Sequence, residues 1–120
     1  MHIEELQKIC KKFSGTTEDI KWENHLCFCV GEKMYCITGL DETPVTASFK
    51  TSDDDFEILS ARKGFKPAPY LARNKWVFTE DISLMSKKEW EMYLKKSYEL
   101  IKAKLPKKVQ KSIEMLEFRV

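Results

Sequence analysis

The sequence predicts an α+β protein in which an antiparallel sheet of about five strands carries helices on one face. Three observations predict this class. Short extended segments follow one another between residues 17 and 50, and their links are too short for parallel crossovers. Apolar residues recur at helical spacing near both ends of the chain. A sheet built this way needs a cover, and helices laid on one face provide it. The 120 residues suit a single domain, spanning residues 1–120, that buries one core without disulfides or metals.

Each element has a local reason. Residues 3–13 read as a helix, with Ile3, Leu6, Ile9, Cys10 and Phe13 on one side and Ser14-Gly15 as the stop. Residues 17–22 read as a strand. Leu26 to Val30 is a short, wholly apolar run. Gly31-Glu32 then links it to residues 33–38 as a two-residue hairpin. After a turn at residues 41–44, residues 45–50 alternate, with Val45, Ala47 and Phe49 inward. Ser52 caps a second helix whose acidic start, Asp53-Asp54-Asp55, suits the positive end of the helix dipole. Gly64 ends that helix.

Residues 66–75, with Pro67, Pro69 and Asn74, read as a loop, and residues 76–79 as the last strand. Ser86-Lys87-Lys88-Glu89 is a capping box. The helix it opens has a core stripe of Trp90, Leu94, Ser97, Tyr98, Ile101 and Leu105. Pro106 interrupts it, and residues 107–116 form a further short helix.

The net charge of +2 conceals an asymmetry. Residues 1–60 hold 6 Lys/Arg and 12 Asp/Glu, whereas residues 61–120 hold 15 and 7. Such segregation favours a basic face that attracts polyanions, unless the lysines only solvate helix surfaces. Cysteines stand at 10, 27, 29 and 36. Cys27 and Cys29 lack zinc spacing and a second ligand pair, so all four read as reduced, structural thiols. No run of about 20 apolar residues is present to span a bilayer. The polar N-terminus does not read as a signal peptide, so the expected location is the cytoplasm.

The chain shows no enzyme signature. His2 and His25 lie outside any catalytic motif, the four glycines are scattered singly, and no cofactor motif is present. The most suggestive stretch is 62–76, which has no acidic residue. Arg62, Lys63, Lys66, Arg73 and Lys75 would neutralise phosphates, and Tyr70 or Trp76 would stack on bases. The competing reading is a proline-braced loop whose rings plug the core edge.

Several segments, in order, resemble the MmcQ/YjbR family. They are residues 17–22 ending at Trp22, Gly31-Glu32-Lys33-Met34-Tyr35-Cys36, Ser48-Phe49-Lys50, Pro69-Tyr70, Lys75-Trp76-Val77, Ser97-Tyr98-Glu99-Leu100 and Lys104-Leu105-Pro106. The chain departs from the family at Leu71-Ala72-Arg73-Asn74-Lys75, where a His-Met-Asn-Lys type sequence is common, and at Cys36. The resemblance implies helices packed on a curved antiparallel sheet, and DNA binding by a double-wing domain. The expected function is therefore a non-enzymatic module for DNA or another polyanion. The alternatives are a protein-interaction adaptor and a frataxin-like metal chaperone using Glu4, Glu5, Glu18, Asp19 and Glu23.

Overall fold

The structure is a computed structural model and describes residues 1–116. Four α-helices accompany one six-stranded antiparallel sheet. In chain order the elements are α1 (Ile3–Lys11), β1 (Thr16–Lys21), β2 (His25–Val30), β3 (Lys33–Gly39), β4 (Ala47–Lys50), α2 (Asp53–Ser60), β5 (Phe65–Pro67), β6 (Trp76–Thr79), α3 (Lys87–Lys102) and α4 (Lys107–Leu116). Strand order is β1-β2-β3-β4-β6-β5.

Side-chain alternation divides the sheet into two unlike faces. On one face Phe28, Val30, Phe49 and Val77 meet Leu6, Ile9, Leu59, Trp90 and Leu94 of the helices, all nearly or fully buried. Trp90 anchors this core. Its ring stands edge-on to Phe49 at 5.3 Å, and its Nε1 donates to the Ile82 carbonyl at 2.7 Å. On the other face Cys27, Cys29, Ile37, Ala68 and Trp76 form a smaller cluster, joined by Met34, Leu71 and Phe78. Ile101, from the last turn of α3, packs against both clusters.

The hairpin at Gly31-Glu32 forms as expected, with positive φ at both residues (54° and 68°). Opposite it the register shifts between Phe28 and Cys29, a bulge that turns both Tyr35 and Cys36 into the helix-covered core. The Ser86 capping box and the Ser52 cap are both present.

The sheet has six strands where about five were expected. The added strand is β5, whose Lys66 and Pro67 fall in the segment read as loop. It pairs Phe65, Lys66 and Pro67 with Thr79, Phe78 and Val77. Pro67 masks it in the sequence, but the strand lies at the sheet edge, where proline is tolerated. Trp22 also leaves its expected strand and stands in the turn between β1 and β2 at φ 52°.

Candidate functional site: the open face of the sheet

The face opposite the helices holds a cleft of about 510 Å³. Its floor is strand: Met34 and Ile37 of β3, Ser48 of β4 and Phe78 of β6. One wall is Trp22 with His25, their rings edge-on at 5.9 Å. The other is the Pro69-Tyr70-Leu71 loop. Gly39, Glu42 and Thr46 close one end, and among the described residues no helical one lines the site.

Both walls carry an aromatic ring in an unusual backbone state. Trp22 (φ 52°) and Tyr70 (φ 66°) occupy the left-handed region, which L-residues with bulky side chains rarely adopt. Both are also exposed: Trp22 at 62% and Tyr70 fully. Ordinary core packing therefore does not explain the placement of Tyr70.

Among the described residues Glu42 is the only acidic side chain in the lining. Its position follows from Gly39. A Cβ there would stand 2.5 Å from Glu42 Oε1 and 2.9 Å from Thr46 Oγ1, so the missing side chain leaves a notch for the carboxylate. No cation lies within ion-pair distance of Glu42 among the described residues. His25 Nδ1 is buried and makes no hydrogen bond to them.

At the other end of the sheet Lys50 is only 7% exposed, and its Nζ donates to the Asn74 carbonyl at 2.6 Å. Burial lowers its pKa first, and the neighbouring Lys104 ammonium lowers it further.

The expected phosphate-contacting set does not come together. Arg62 grips Glu89 at 2.6 Å and donates to the Leu84 carbonyl, tying the end of α2 to the start of α3. The hydrogen bond to Glu89 is the main cause that raises the Arg62 pKa, and the same bond lowers that of Glu89. Lys66 lies over Phe78 on the open face, while Lys75 lies over Phe56 on the helix-covered side. Lys63 and Arg73 are exposed. Trp76 is buried at 5% exposure and is unavailable to stack on a base; Tyr70 is available. Lys96 of α3 pairs with Asp55, so part of the basic half is neutralised by the acidic half.

The thiols are buried, and that burial pushes Cys10 up to about 12 and Cys27 up to about 11. No group of three or more His, Cys, Asp or Glu among the described residues is arranged to hold a metal. Of the carboxylates considered for that role, Glu5 closes the α1 capping box and Glu18 is held by Gln7 and Lys11.

Sequence reasoning named Tyr70 but missed Trp22, His25 and Glu42 as members of the cleft. The available signal was a tryptophan beside Glu23-Asn24 in a turn, where such a large apolar ring is out of place.

Fold and cleft define a small α+β protein with one helix-covered and one open sheet face. A family model described as YjbR matches residues 11–100. The chain belongs to the YjbR family. It is similar to the Deinococcus radiodurans protein DR2400, whose crystal structure is described with a DUF419 domain: 22% identity, 93% of this chain and 87% of that one covered, TM-score 0.83. It is also similar to a structural-genomics protein from Pseudomonas syringae: 17% identity, 84% and 99% covered, TM-score 0.69. No curated protein matches the chain. No helix among the described residues is long and apolar enough to cross a membrane.

Proposed function

We propose that this YjbR-family protein is a non-enzymatic binding module whose cleft takes a small organic cation, an amine or guanidinium on a planar apolar body. One observation carries the reading: an unpaired carboxylate, Glu42, stands at the end of an apolar cleft walled by two exposed aromatic rings. The cleft volume lies in the range of small-molecule sites, about 300–1,000 Å³. Aromatic faces attract cations, and a carboxylate fixes the charged end. DNA binding through residues 62–76 has less behind it, because Arg62 is held by Glu89 and Trp76 is buried.

Trp22 reports on this reading directly, since Trp76 and Trp90 are buried. Arylalkylamines titrated against the protein are expected to change Trp22 emission saturably, and matched arylalkyl carboxylates are not. Glu42→Gln is expected to weaken amine binding by about tenfold, the lower end of a charge-assisted hydrogen bond. Equal response to amines and carboxylates would refute the assignment.

A further inference from the structure

Glu42 is not alone at the polar end of the cleft. A Cβ on Gly39 would meet Glu42 Oε1 at 2.5 Å and Thr46 Oγ1 at 2.9 Å. Both oxygens therefore border one gap, opened by the missing side chain. Gly39 is the partner of His25 across the β2–β3 pair. Directly opposed residues share a face, so the gap lies on the open face beside the wall of His25 and Trp22. Thr46 is 7% exposed and supplies a fixed acceptor, whereas Glu42 is exposed and its longer chain adjusts. Neither side-chain oxygen is hydrogen-bonded to another group among the described residues.

On the footing that the cleft takes a cation, we infer that it selects a primary ammonium over guanidinium and quaternary ammonium groups. An ammonium is compact and carries three N–H donors that rotate to suit separate acceptors. It can bond the Glu42 carboxylate and the Thr46 hydroxyl together. A guanidinium presents a flat fork that matches the two oxygens of one carboxylate. Here Glu42 turns Oε1 toward the gap, and the second oxygen there is a hydroxyl of another residue. A quaternary ammonium has no N–H and would leave both oxygens without a donor, a mismatch that polar sites reject strongly. The ligand class is thus a small primary amine whose apolar body lies between Trp22 and Tyr70.

Calorimetric titration of the whole protein with phenethylamine, phenethylguanidine and N,N,N-trimethylphenethylammonium tests the selection. The primary amine is expected to bind more tightly than either relative by about tenfold, the lower end of a charge-assisted hydrogen bond. Thr46→Val keeps the side-chain shape without the hydroxyl and is expected to shrink that preference, and Thr46→Ser to retain it. Gly39→Ala fills the gap while Glu42 keeps its charge. Gly39 lies outside the left-handed region and the nearest atom is the end of the Glu42 chain, so alanine is tolerated there. This variant is expected to bind the primary and quaternary cations equally. Wild-type protein that binds the quaternary cation or the guanidine as tightly as the primary amine overturns the selection and leaves the cation reading standing. A preference undiminished in both Thr46→Val and Gly39→Ala also overturns it. Failure of all three cations to bind overturns the selection and the cation reading together.

Discussion

Tyr70 is fully exposed and left-handed, so it contributes little packing and carries backbone strain. For a non-glycine residue that strain is about 1–2 kcal/mol. Asparagine tolerates the same conformation better. Tyr70→Asn is therefore expected to raise Tm by a few degrees while removing the amine response of Trp22 emission; a lower Tm with binding intact would contradict both roles. Trp22 shares the backbone state but touches His25, so its replacement is a less clean test. The thiols give a separate prediction at this scale. Their burial, and the raised pKa values of Cys10 and Cys27, keep them protonated at neutral pH. Iodoacetamide is expected to leave all four unmodified in the native protein and to label all four in denaturant, as counted by mass spectrometry.

Elements were legible wherever local signals agreed with the final packing. The Ser86 capping box, the Trp90–Tyr98 stripe and the Gly31-Glu32 turn formed as read, because each is specified within a few residues. β5 was hidden because its pairing partner, β6, lies beyond a proline-bearing loop. The two lysine-rich elements of the C-terminal half also meet constraints invisible in sequence. Leu105 packs on Gly31, where an added Cβ would come within 2.6 Å of Leu105 Cδ1. Gly31→Ala is thus expected to cost about 1–3 kcal/mol in urea unfolding, from overpacking and the positive φ together.

The Arg62–Glu89 clamp joins α2 to α3. Glu89 has its pKa lowered in the folded state, so its stabilisation is present above the unfolded carboxylate value of about 4.3. It fades as pH falls through the lower folded value. Both groups are about one-third exposed, which screens the effect. Arg62→Gln is expected to flatten the fall of Tm between pH 5 and 3 relative to wild type; an unchanged slope would show that the clamp contributes nothing.

At the scale of the molecule, the charge asymmetry of the sequence is offset in part by pairing in the fold. Packing of α2 against α3 lets Asp55 of the acidic half neutralise Lys96 of the basic half, while Glu89 neutralises Arg62 within the basic half itself. Lys66 and Lys75, nine residues apart in sequence, go to opposite faces. The open face instead presents an aromatic cleft with one carboxylate at its end. The cleft was not legible beforehand, because it gathers residues from several strands and turns, and a side chain such as Glu42 looks unremarkable in its local context. The importance of Glu42 comes from the absence of a cation partner among the described residues.

Mapping of amide chemical shifts during titration with an arylalkylamine tests the open face most directly. Shifts are expected at Trp22, Ile37, Ser48 and Tyr70, with the helix-covered core around Leu6 and Leu94 unchanged. Shifts confined to α1 and α3, or none at saturating amine, would contradict the placement of the binding site on the bare face of the sheet.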